Sequence, residues 1–238
     1  MTRKPKRWGL RLLVALALLG GLGWAAGPRL LVALGRYLVS DDPLERADAI
    51  VAAGGGLAVV MEAAELHRAG WAPRIMLSVE PERPPGYDEL AARGLRLPTT
   101  FERSLRVMEF LGVEHRAVER VEQDAAARLD LVCGVVQHAR AHGYRRLILV
   151  GGKFGLPRFK QMIALVSDGE LHTIARVARV GLMPDDRWWK SRDAAKGFLF
   201  EYETLLDYWR VAAQTKVAGW LYALVGKPRS AFTALCHA

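Results

Sequence analysis

Between Ala47 and Val79 (ADAIVAAGGGLAVVMEAAELHRAGWAPRIMLSV) the apolar pattern changes period twice, and this limits the folds open to the chain more than any other stretch. A short apolar run, Ala49 to Ala53, meets three glycines, Gly54, Gly55 and Gly56. Val59, Ala63 and Leu66 then recur at helical spacing up to Gly70, and a second apolar run, Ile75 to Val79, follows Pro73. Strand, helix and strand in so short a span make a βαβ unit, whose crossover forces the two strands to run parallel. The glycine turn then falls at the carboxyl end of the first strand, the edge along which open α/β sheets bind ligands. Two readings of the glycines stay open. They let a ligand approach the backbone and expose N–H groups at a helix N-terminus, a seat for an anion. Alternatively they only make a tight turn, since GGG falls short of a full G-x-G-x-x-G fingerprint.

The rest of the chain continues the alternation. Prolines at 81, 84, 85 and 98 mark an excursion with a short helix near Asp88 to Arg93. Thr100 is the expected N-cap of a helix through Phe110, which Gly112 stops. Ala117 to Val121 reads as a short strand, Asp124 to His142 as a helix, and Arg146 to Val150 as a buried strand. Arg158 to Val166 is helical, His172 to Val180 strand-like, and Phe198 to Ala213 helical with Leu205, Leu206 and Trp209 on one side. Strands alternating with helices predict an α/β fold, a Rossmann-like doubly wound and mostly parallel sheet. The expected organisation is a basic N-terminus and anchor (1–28), a juxtamembrane helix and linker (29–43), the α/β domain (44–213) and an apolar extension (214–238).

The net charge of +9 suggests nucleic acid until its distribution is considered. Of the 34 basic residues, seven lie within 1–36, where no acidic residue occurs; the remaining 27 face 25 acidic ones. The excess is an address at one end of the chain, and no nucleic-acid partner is expected. Leu12 to Pro28 is an uncharged run of 17 residues, at the short end of the roughly 17–25 that span a bilayer. Arg11 extends it by snorkelling and Trp24 suits the far interface. A cleaved signal peptide is the competing reading, with small residues at Ala25 and Ala26, but Trp24 and the apolar Arg29 to Val39 disfavour it. An uncleaved transmembrane helix, with the N-terminus cytoplasmic and the domain on the outer side of the plasma membrane, is the expectation. The nine apolar residues Val217 to Val225 are too few to span, so they pack on the domain or dip into the membrane surface.

Gly151-Gly152-Lys153-Phe154-Gly155 follows the strand Arg146 to Val150 directly, matching the place of Gly54 to Gly56. Two glycine turns on one edge, with Lys153 and Arg158 beside the second, suit a phosphate or carboxylate; otherwise Lys153 is solvated and Arg158 pairs with a nearby acid. Of the adjacent Trp188 and Trp189, one walls a pocket or faces the membrane unless both merely pack. Glu201 is the better of Glu201 and Glu203 for an inward contact. His138 and His142 share a helix face as a metal pair would, but the sequence places no third ligand beside them and no metal is expected. No nucleophile elbow, Walker loop or H-E-x-x-H motif occurs. Cys133 and Cys236 are too few for a disulfide framework, and a bridge between them is not the expectation.

Taken together, ADAIVAAGGG, AAELHRAGWAPRIMLS, the LILV strand followed by Pro157-Arg158, and Trp188-Trp189 before a Glu-bearing helix resemble the YdcF/SanA/ElyC-like family over roughly Ala47 to Arg210. The resemblance implies a Rossmann-type domain carried on one N-terminal membrane helix of a bacterium. It implies a role in envelope integrity, with peptidoglycan or lipid-carrier metabolism as the setting; the YdcF branch instead implies S-adenosylmethionine. The expected ligand contacts are Gly54, Gly55, Gly56, Gly151, Gly152, Lys153, Arg158 and Trp188 around the glycine turns, to which the resemblance adds Glu102 and Glu122. Expected partners are the inner membrane, a phosphorylated envelope precursor and a membrane protein; the cofactor is left open. Departures stand beside the match. Val59 takes the place of a family arginine, Ala125 to Ala127 and Arg128 replace a Ser/Thr-containing motif after Glu122, and Gly151, Gly152 and Gly155 replace Thr-Ser and a histidine. Most hydroxyl and imidazole groups that acid–base or nucleophilic work would need are therefore gone. Either the substrate differs or the site binds without catalysing.

Overall fold

A computed structural model describes residues 26–53, 56–78, 86–122, 130–180, 187–224 and 236. Within these, β1 (Ala49–Ala52), β2 (Arg74–Ser78), β3 (Val118–Val121), β4 (Arg146–Gly151) and β5 (His172–Val177) form one sheet in the order β3-β2-β1-β4-β5. Every pairing is parallel. The helices are α1 (26–37), α2 (Leu57–Arg68), α3 (Tyr87–Ala92), α4 (Thr100–Phe110), α5 (Asp130–His142), α6 (Leu156–Val166) and α7 (Arg192–Leu224). Both faces of the sheet are covered, as an all-parallel sheet requires. Ile50, Ala52, Ile75, Leu77, Ile148 and Val150 share a core with α2 and α4, while Val51, Met76, Leu147 and Leu149 share one with α5 and α6. The alternation along β1 and β4 thus sends each neighbour to the opposite layer. The strand order reverses direction between β1 and β4, which is where doubly wound sheets open a crevice.

The outer edge of β5 does not face solvent unpaired. Asp42 N–H donates to the Ala175 carbonyl (2.9 Å), and Asp42 Oδ2 accepts from Ala175 N–H (2.8 Å) and from Lys160 Nζ (2.6 Å). Partial burial would raise the Asp42 pKa, but the Ala175 N–H and the Lys160 ammonium outweigh it and hold the carboxyl below its ordinary value. The same segment reaches a buried ion pair. Glu62 on α2, 4 % exposed, accepts from Arg176 Nε on β5 (2.9 Å) and from Arg179 N–H (3.2 Å), with Asp41 3.5 Å from Arg176 Nη1. α2, β5 and the linker before β1 are locked together by these contacts.

Several expectations need correction. The N-cap of α4 is Thr99, one residue before the expected Thr100, because Thr99 and Glu102 form a capping box that requires the N-cap and N3 positions. The expected strand His172 to Val180 ends at Val177, and α6 starts at Leu156 with Pro157 in its first turn. The boundary placed at 213/214 falls inside α7, which runs unbroken from Arg192 to Leu224. On that helix Leu205 is buried, whereas Leu206 and Trp209 are exposed, so the three do not share one packed face. Cys133 on α5 and Cys236 are joined by a disulfide across 103 residues, which the sequence reading did not expect. No helix among the described residues is long and apolar enough to cross a membrane. The run expected to span, Leu12 to Pro28, lies outside them apart from its last three residues.

Candidate functional site

β1 and β4 are immediate neighbours in register, with Ala52 beside Val150, so the turns that leave them emerge side by side. Beneath them opens a cleft of about 360 Å³. Its walls are the first turn of α2 (Ala58, Val59), the β4–α6 turn (Gly152, Lys153) and one side of α7 (Asp193, Glu201). Ala178 and Val180, just past β5, close another side. Gly56 is the N-cap of α2 and supplies no side-chain cap, so the first N–H groups of that helix have no side-chain acceptor from it. A Cβ placed on Gly56 or Gly152 would meet nothing within 4 Å. These two glycines leave space for another molecule.

The other glycines of the second turn serve packing. A Cβ on Gly151 would come within 2.9 Å of the Leu156 side chain. Gly155 has φ +95°, and a Cβ there would lie 2.7 Å from Glu201 Oε1. The Glu201 carboxylate therefore sits close against the N-terminus of α6, where the helix dipole favours negative charge. Arg158 Nε and Nη2 each lie 3.1 Å from Glu201 Oε2, and Arg158 Nη1 contacts Met162 Sδ at 3.4 Å. The acid that could have left Arg158 only a structural role is thus found, and it is Glu201. Arg158 does not line the cleft; it faces a neighbouring depression with Glu203 and Tyr208. At the α6 end, the protein's own carboxylate stands where an external anion would be held.

The remaining expected contacts disperse. Gly54 and Gly55 lie outside the described residues. Glu102 caps α4: its carboxylate accepts from Thr99 N–H (2.8 Å) and from Arg96 Nη2 (2.9 Å), and the Thr99 bond, followed by the Arg96 charge, lowers its pKa despite the opposing effect of desolvation. Glu122, two strands away from β1, is mostly exposed and accepts from Arg120 Nε (2.5 Å). Trp188 is buried, stacks on Phe198 with ring centroids 3.4 Å apart, and donates from Nε1 to the Leu31 carbonyl (2.9 Å). It fastens α7 to α1 and is not itself a wall of the cleft, although it packs in one cluster with the lining residues Ala194 and Phe154. Of the ten expected ligand contacts, the cleft walls bring together Gly152 and Lys153, with Gly56 capping the helix beside them.

Two features escaped sequence reasoning. Asp193 lies on the cleft wall but carries no motif that would single it out. Glu62 did leave a signal, because it falls three residues after Val59 and four before Leu66, on the apolar face of α2. His138 and His142 also prove to have an acidic neighbour, Glu119, which lies nineteen residues before His138 in sequence. The chain matches no model of a known protein family and no curated protein. The fold and the cleft therefore define a class, a Rossmann-like α/β domain with an open crevice at its strand reversal, and the function has to be argued from that geometry.

Proposed function

We infer that this chain is a membrane-anchored envelope protein of the YdcF/SanA/ElyC type whose Rossmann-like domain binds an anionic, phosphorylated ligand. The observation that carries the reading is the adjacency of β1 and β4, which puts the uncapped start of α2 and the Gly152-Lys153 turn on one cleft. Helix N–H groups plus a lysine are a natural combination for phosphate. Asp193 and Glu201 on the opposite wall favour a ligand that also carries hydroxyl or amide donors, as a sugar or nucleotide diphosphate does. The basic, apolar N-terminus supports attachment to the inner membrane, and the Cys133–Cys236 bond suits an oxidising compartment outside the cytoplasm. That placement also disfavours an S-adenosylmethionine-dependent reaction, whose donor is cytoplasmic.

The test is thermal stability of the purified full chain against pyrophosphate, nucleoside diphosphates and a pyrophosphate-bearing polyprenyl lipid. A phosphorylated ligand should raise the melting temperature. Lys153→Ala should weaken its binding about tenfold or more, from the loss of a charge-assisted contact of about 1.5–3 kcal/mol. No shift with any of the three would defeat the reading.

A second reading, a non-catalytic scaffold, is favoured by the apolar side chains that α7 exposes: Leu199, Phe200, Leu206, Trp209 and Val217. It requires that Lys153→Ala leave function intact while removal of 217–225 abolishes it.

A further inference from the structure

We propose that Glu119, His138 and His142 form a binding site for Zn²⁺ at the rim of the sheet opposite the cleft. One ligand atom from each of the three lies within 4.8 Å of the others. Glu119 sits on β3, opposite Met76 of β2, and its side chain turns toward the layer that holds α5. α5 runs antiparallel to the strands and delivers its last turns, with His138 and His142 on one face, to the amino-terminal edge. The loop that follows brings Tyr144 beside them.

Two imidazoles and one carboxylate are a ligand set that suits zinc, with solvent completing a four-coordinate sphere. Calcium and magnesium, which ask for oxygen ligands, are poorly served by it. The outer contacts are those that orient metal ligands. Tyr144 Oη donates to Glu119 Oε1 (2.7 Å), and Arg74 Nε lies 3.6 Å from the same oxygen, so Oε2 is the oxygen turned toward His138. His142 Nδ1 donates to the His138 carbonyl (2.9 Å), which fixes its tautomer and leaves Nε2 for the ion. His138 Nε2 lies 2.9 Å from Glu119 Oε2. Zinc takes the place of the hydrogen between them, and the imidazole proton moves to Nδ1. Four-coordinate zinc with bonds of about 2.0–2.1 Å needs its ligand atoms roughly 3.4 Å apart, so the Glu119–His138 pair opens slightly. The His142 ring, stacked on His138 with centroids 4.1 Å apart, turns out of the stack to aim its in-plane lone pair at the ion.

Glu119 and His138 are shielded from solvent, with side chains 15 % and 17 % exposed, whereas His142 lies on the surface. The ion is therefore reached from the solvent side and ties the edge strand β3 to the end of α5. Among the described residues, Arg74 is a cation beside Glu119 that opposes a divalent ion, and its side chain is 44 % exposed, so water screens much of that repulsion.

The experiment is titration of chelator-treated full chain with Zn²⁺, followed by calorimetry and by thermal unfolding. One Zn²⁺ per chain should bind, and at a free concentration 100-fold above Kd the melting temperature should rise by about 5–10 °C. His142→Ala, which alters only a surface position, and Glu119→Gln, which keeps the shape around Tyr144, should each weaken binding at least about 10–100-fold. His115→Ala, at an unrelated surface histidine paired with Glu109, should leave it unchanged. Absence of binding by the folded wild type would overturn the site and reduce the cluster to a hydrogen-bonded ion pair. So would equal binding by His142→Ala and Glu119→Gln.

Discussion

Glu62 and Arg176 face each other where an α/β core would ordinarily hold two apolar side chains. Glu62 is 4 % exposed and Arg176 8 % exposed, and the pair is completed by the Arg179 N–H and by Asp41. Desolvating two charges is costly, and their attraction recovers the cost only where the pair is also hydrogen-bonded, as Glu62 is to Arg176 Nε and to the Arg179 N–H. Removing one partner is then worse than removing both. Glu62→Ala strands a buried guanidinium and is expected to lower stability by about 3 kcal/mol or more, seen as a fall in melting temperature of roughly 6–12 °C. The double substitution Glu62→Met with Arg176→Met should recover most of that loss, because shape is kept and no charge is left behind. An additive double variant would show that the two side chains are not coupled. Glu201 follows the same logic closer to the cleft: its carboxylate answers both Arg158 and the start of α6, and Gly155 exists in a left-handed conformation that leaves it room.

At the scale of elements, α5 is held at two points, by Cys133 to Cys236 along its body and by Glu119 against its end. Both cysteines are buried, so the bond lies in the core beside β4 and α6. Closing a loop of 103 residues removes chain entropy from the unfolded state, and the bond is expected to contribute about 2–4 kcal/mol. Thermal unfolding with and without reductant checks this: reduction should destabilise the wild type and leave Cys133→Ser, already weakened, unmoved. A wild-type transition insensitive to reductant would mean that the bond does not form.

What could be read from the sequence follows the same division into local and distant contacts. The βαβ pattern of 47–79, the buried Arg146 to Val150 strand and the capping of the 100–110 helix are set by periodicity and neighbouring residues, so they were legible to within a residue or two. The two glycine turns were placed on one edge because parallel strands permit nothing else. That the two glycine-capped strands run side by side was expected and holds for β1 and β4. That Arg158 has Glu201 as its partner and that Cys133 reaches Cys236 are contacts between distant positions, and no local pattern encodes them. Trp188 shows the limit from the other side: its aromatic character was evident, but burial against Phe198 could only come from the packing of α1 on α7.

The whole molecule poses a question of orientation, because the sheet, the cleft and the disulfide have to be in one compartment. The last three residues of the apolar stretch that ends at Pro28 already belong to α1, whose Leu31 and Leu34 pack with Trp188 and Phe198, so the chain that follows this stretch is joined to α7. If the basic residues before Leu12 remain in the cytoplasm, as their charge favours, everything from α1 onward is carried to the other side. The redox state of the cysteines then reports the compartment without any fusion. In bacterial cells quenched with acid and treated with a bulky maleimide, Cys133 and Cys236 should resist labelling until a reductant is added. The same chain lacking residues 1–28 should stay in the cytoplasm, where thiols are kept reduced, and label at both positions once denatured. An alkaline phosphatase fused to the C-terminus should be active on the full chain and inactive on the truncated one. Full-length protein whose cysteines label freely, with an inactive phosphatase, would place the domain in the cytoplasm. It would also restore the methyl donor and cytoplasmic nucleotides as candidates for the cleft between α2 and Lys153.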